Sequence, residues 1–192
     1  MKILYLFKGG RKKRLESVIS SEAPTEFLYG FPYFKEKGYL TDIIEQNELT
    51  QNTNTFQYKI LEKQRNFISK SLNIGMDTPF LFNIIDQLNS YDVIMAIPDS
   101  VGLALSYYKK KGWLSSRIVF FEMGLASRMY QLKNKSILKY SFFKYYINHL
   151  LKYCDRMVVL GMGEQNFLSH EFPNIKNRNF LIPFGVDINF WR

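Results

Sequence analysis

Apolar residues fall in short runs separated by stretches with helical spacing. Lys2–Phe7 (KILYLF) runs into Gly9-Gly10 and predicts a buried strand rather than a signal sequence, which would need a longer apolar stretch and a small-residue cleavage site. Arg11–Pro24 reads as polar and irregular. Residues 27–38 (FLYGFPYFKEKG) predict a helix turned or kinked at Pro32 and stopped by Gly38, before a second strand in YLTDII. Asn47–Thr55 is a loop by composition. Phe56–Leu72 and Thr78–Leu88 carry helical spacing, with Pro79 suited to a first turn. Val93–Ala96 predicts a strand, Ile97–Ser100 a loop, Val101–Lys111 a helix stopped by Gly112, and Arg117–Phe121 a strand. A long helix over Ser136–Tyr153, a strand over Arg156–Leu160, a short helix over Glu164–His170 and a strand over Phe180–Ile182 complete the pattern.

Short apolar strands alternating with helices imply an α/β fold: one Rossmann-like, doubly wound parallel sheet. Such folds bind ligands at the carboxyl ends of their strands. Those ends are Lys8–Lys12, Ile97–Ser100, Glu122–Leu125 and Gly161–Glu164.

Composition narrows the class. With 46% hydrophobic residues among 192, the chain can bury a core and is not intrinsically disordered. No apolar run reaches the roughly 18 residues of a membrane span. The single cysteine, Cys154, excludes an internal disulfide and points to a reducing, cytoplasmic compartment. The formal charge is +9, and three stretches lack acids: residues 1–15, Lys109–Lys111 and Met123–Cys154. Acid-free patches attract anionic partners such as phosphorylated ligands, lipid headgroups or nucleic acid, or they simply solubilise the surface.

Gly9 and Gly10 let backbone approach a phosphate, with Arg11 and Lys12 adding charge; the same pair also makes a plain turn. No P-loop motif is present, and Gly161-Met162-Gly163 lacks the third glycine of a dinucleotide fingerprint. His149 and His170 have no metal-ligand spacing, and His149 reads as a packed or surface histidine; Cys154 has no activating partner in view and reads as buried packing. Asp99 and Glu122 each follow a central strand, where a carboxylate orients a hydroxyl or acts as a base. Asp99 also suits a helix N-terminus; Glu122 lies in a short loop that offers little structural reason for a charge. On a helical wheel, Ser141, Lys144, Asn148 and Lys152 share one arc, while apolar residues fill most of the rest. That helix is either largely buried or meets a second apolar phase such as a membrane.

The strand-Gly-Gly start, Gly30 to Gly38 leading to YLTDII, YDVIMA with its helix, CDRMVVLGMGE and above all NFLIPFGVDINFW resemble the N-terminal half of GT-B glycosyltransferases of the family-4 type. The resemblance implies an acceptor-side domain over residues 1–182 and a hinge over residues 183–192, carried by Gly185, Val186 and Asp187. A donor-binding C-terminal domain would lie beyond. The implied reaction moves a sugar from a nucleotide-diphosphate donor to a hydroxyl on a glycan or lipid-linked acceptor, retaining configuration and using no metal or other cofactor. Gly9 and Gly10 match the loop that approaches the donor phosphates, with Arg11, Lys12 and Asp99 also on the substrate side. Glu122, the catalytic candidate, and Met123 stand where many members have histidine. The expectation is half an enzyme, inactive alone and peripheral on the inner membrane face. Nucleic acid is not its expected partner. Two rivals remain: a non-catalytic basic module binding anionic lipid or nucleic acid, and a flavodoxin-like regulator, which requires a closed five-strand domain with no exposed apolar face near Pro183–Trp191.

Overall fold

The structure, a computed structural model, describes residues 1–49 and 53–192. Six parallel strands form one sheet: β1 (Lys2–Phe7), β2 (Leu40–Glu45), β3 (Val93–Ala96), β4 (Arg117–Phe121), β5 (Arg156–Val159) and β6 (Asn179–Leu181), in the order β2-β1-β3-β4-β5-β6. The fold is therefore α/β and Rossmann-like. Strand order reverses between β1 and β3, which pair with Leu6 opposite Ala96. A crevice at the strand ends is expected at that reversal.

The helices are α1 (Arg11–Ile19), α2 (Phe31–Glu36), α3 (Phe56–Leu72), α4 (Thr78–Phe82), α5 (Ile85–Leu88), α6 (Asp99–Lys110), α7 (Leu125–Lys135), α8 (Ile137–Leu151) and α9 (Met162–Glu171). They divide unequally over the two faces. Leu4, Leu6, Ile94, Ala96, Ile118, Phe120, Met157 and Val159 pack with residues of α3 through α9 in the larger core. The opposite face presents Tyr5, Phe7, Met95, Ile97, Phe121 and Val158, and the helices that pack on it among the described residues are α1 and α2, with the turn between them. Gly102 lets α6 lie directly on β4, since a Cβ there would stand 2.4 Å from the Phe120 ring.

The sequence reading departs from the structure at specific places. Arg11–Ile19 is helical, not irregular. None of its residues is fully buried, so it has no apolar period to read. Gly10 (φ 78°) starts this helix, and the buried Glu45 carboxylate accepts from the Arg11 and Lys12 amides. The helix expected over residues 27–38 is a 3-10 turn, Glu26–Leu28, followed by α2 with Pro32 in its first turn. Thr78–Leu88 divides into α4 and α5. The loop expected over Asn47–Thr55 starts with a 3-10 turn through Glu48, and residues 50–52 lie outside the described residues. The Glu122–Leu125 loop leads into an unanticipated helix, α7. Six strands, with Val186, Ile188 and Trp191 exposed, do not match the closed five-strand rival.

Candidate functional site

The carboxyl ends of β1, β3 and β4 bring together several of the residues singled out from sequence. Asp99 opens α6, and its Oδ1 accepts from the Met123 amide at 2.9 Å, tying the β3 rim to the β4 rim. Burial, reinforced by the adjacent Glu122 carboxylate and by Glu164, pushes the Asp99 acid up to about 7; the Met123 N–H and the Arg128 guanidinium pull the other way. A carboxyl poised there exchanges a proton near neutrality, the property a general base or acid requires.

Glu122 has a structural task that its sequence context does not reveal. It is 1% exposed, and Oε1 accepts from the Gly124 and Ala126 amides at 3.0 Å each, capping α7. The loop thus supplies the reason for a charge that the sequence reading found lacking. Oε2 is buried without a hydrogen-bond partner among the described residues, and burial raises the pKa despite the opposing amides. Met123, which follows it, is exposed.

On the β1 side, Gly9 packs against Asn47: a Cβ there would lie 2.8 Å from that side-chain amide. The α1 amides that would meet a phosphate already donate to Glu45. Lys12 pairs with Glu48 toward the sheet edge, whereas Arg11 lies over the rings of Phe7 and Phe27. The paired glycines and Lys12 therefore stand apart from the Asp99 cluster. Lys8 completes the strand-reversal point, with Nζ 3.8 Å from the Asp77 carboxylate, which also accepts from the Ser100 hydroxyl.

Tyr29 connects the two halves. Its ring packs against Phe7, Phe121 and Phe184, and its hydroxyl lies 4.0 Å from the Met123 sulfur. Below it, the partly covered sheet face opens into a cavity of about 760 Å³ lined by Met95, Val119, Phe121 and Val158. The last residues roof it. Asp187 accepts from the Thr25 amide and hydroxyl at 3.2 and 3.0 Å, and its own amide donates to Glu26 at 2.8 Å. Trp191 donates its indole N–H to the same Glu26 oxygen at 3.0 Å. Gly185, Val186 and Asp187 thus belong to a strap running from the end of β6 to the turn before α2. The Asp187 carboxyl is held below its usual range by the Thr25 hydrogen bonds. For Glu26, burial acts upward but the Asp187 and Trp191 hydrogen bonds outweigh it.

Of the remaining candidates, Cys154 is a packing residue, His149 is half-buried and His170 is exposed at the surface. Cys154 is buried, and its thiol is pushed up to about 12, chiefly by burial. His149 stacks on Tyr145, and His170 lies 3.6 Å from Glu171. Among the described residues no three His, Cys, Asp or Glu side chains converge as a metal site.

Sequence reasoning passed over Tyr29, Asp77, Glu45 and Arg128 as members of this region. Asp77 and Arg128 lie far along the chain from the strand ends they approach, and Tyr29 adopts a left-handed backbone (φ 50°) that no motif announces. No protein-family model matches the chain, and no curated protein matches it.

Proposed function

We propose that the chain is the acceptor-side lobe of a two-lobed glycosyltransferase, in which Asp99 orients or deprotonates an acceptor hydroxyl. The observation that carries this reading is the Asp99 carboxyl at the strand ends, which accepts from the Met123 amide at 2.9 Å, while the Met123 sulfur lies 4.0 Å from the hydroxyl of Tyr29 on the cavity wall. Sugar transfer to a hydroxyl needs a site for that hydroxyl and charge stabilisation for the departing diphosphate. Asp99 suits the first task. The second needs cations and free amides, which are scarce here because Glu45 takes the α1 amides and Glu48 takes Lys12; a donor-binding partner domain would supply them. This assignment moves the central chemical role from Glu122, which caps α7, to Asp99, and leaves Glu122 to keep the Asp99 pKa high. The aromatic cavity wall fits the apolar faces of a sugar ring or the first units of a lipid-linked acceptor.

The test is binding of an oligosaccharide panel by the folded chain, followed by amide NMR, beside an assay of sugar transfer from nucleotide-sugars. The expected result is a saccharide that shifts the Asp99, Ser100 and Met123 amides, binds at least about tenfold more weakly to Asp99→Asn, and is not glycosylated by this polypeptide alone. Transfer by the chain alone would contradict the half-enzyme reading. Saccharide binding indifferent to Asp99→Asn would remove Asp99 from the site.

A further inference from the structure

Helix α8 has two apolar faces, and the structure uses one. Tyr140, Phe143, Ile147, Leu150 and Leu151 are buried against the core. At 100° per residue, Leu138, Phe142, Tyr145 and His149 form a second stripe about 60° wide on the opposite side. Leu138 is 81% exposed and Tyr145 72%, with Phe142 also exposed and Ile137 open at the turn from α7. A single exposed leucine is ordinary, but an ordered stripe along a whole helix marks a contact surface.

The charge around the stripe identifies the contact. From Met123 to Cys154, the helix pair carries Arg128, Lys133, Lys135, Lys139, Lys144 and Lys152 and no acid. Glu171, itself buried, engages Lys133 and Lys144 from beneath. Lys135, Lys139 and Lys152 have no acidic partner among the described residues. Lys110, from α6, joins Lys152 beside His149; burial and these two cations lower that histidine's pKa.

We infer that the outer face of α8, with the end of α7, docks this protein onto an anionic lipid bilayer. Leucine, phenylalanine and tyrosine enter the headgroup boundary while the flanking lysines reach lipid phosphates. A second copy is a poor occupant, because a two-fold contact would set this acid-free surface against itself. Nucleic acid would use the lysines and aromatic rings but leave Leu138 and Ile137 unused. The inference stands on the helix pair and does not depend on sugar transfer.

The experiment is co-sedimentation with vesicles of phosphatidylcholine alone and of phosphatidylcholine mixed with phosphatidylglycerol. Wild type is expected on the anionic vesicles only. Leu138→Gln/Tyr145→Gln and Lys135→Gln/Lys139→Gln should each bind about tenfold more weakly or worse, with Ile19→Gln unchanged as a control on another exposed apolar position. Leu138→Trp provides an independent readout: its emission should shift to the blue on anionic vesicles. No anionic binding, binding indifferent to Leu138→Gln/Tyr145→Gln, or no Leu138→Trp shift each overturns the inference. So does a lipid-free dimer that Leu138→Gln/Tyr145→Gln dissociates, or RNA binding that the same variant weakens.

Discussion

At the scale of single residues, Glu122 illustrates how position and role separate. Its place after a central strand suggests chemistry, yet its oxygen holds two amides at the start of α7. Glu122→Ala should therefore lower stability by about 1–2 kcal/mol in urea unfolding, because it strips the cap from buried donors. Glu122→Gln, which keeps an acceptor oxygen, should retain more of that stability. Asp99 differs. Its folded pKa, about 7, lies above the ordinary carboxylate value, so its contribution to stability is full below about pH 4 and is lost as pH rises through about 7. The melting temperature of Asp99→Asn should consequently fall less than that of wild type between about pH 5 and pH 8; equal slopes would show that Asp99 is not buried as described.

At the scale of elements, strands are legible because burial on both sides writes continuous apolar runs into the chain, and long helices because burial of one face writes a helical period. Lys2–Phe7, Phe56–Leu72, Val93–Ala96 and Arg117–Phe121 show this at matching boundaries. Helix α1 is not legible, since its start depends on Gly10 and on Glu45, thirty-odd positions away, and no residue in it is buried. Helix α7 is hidden by a glycine start and by a capping acid that resembles a catalytic one. Two element-level outcomes follow from packing. Gly102→Ala should destabilise by about 1–3 kcal/mol in thermal or urea unfolding, because its methyl would meet the Phe120 ring at 2.4 Å. The terminal strap should release in acid: Asp187 and Glu26 both titrate below their usual values, so the stability they lend is present above about pH 4 and disappears as pH falls through the lowered values. Trp191 fluorescence should report that release, and Asp187→Ala should show the released signal at neutral pH.

At the scale of the molecule, the parallel sheet was readable from the alternation of elements, but the place where its strand order reverses and the unequal cover of its faces were not. Seven helices on one side and two on the other, among the described residues, leave a cavity enclosed by α2, the turn before it and the terminal strap, and periodicity does not say on which face a helix lands. Of the site, Asp99 was findable from its place after a central strand and Met123 was named only through the resemblance; Tyr29, Asp77 and Arg128 depend on long-range packing. No helix among the described residues is long and apolar enough to cross a membrane. The functional account reduces to a carboxyl group at the strand ends that keeps its proton near neutrality. A carbon-13 NMR titration of the aspartate carboxyl resonances, with Asp99→Asn to assign the signal, measures it directly. The account predicts a midpoint near 7 for Asp99; a midpoint near the ordinary value of about 4 would contradict it.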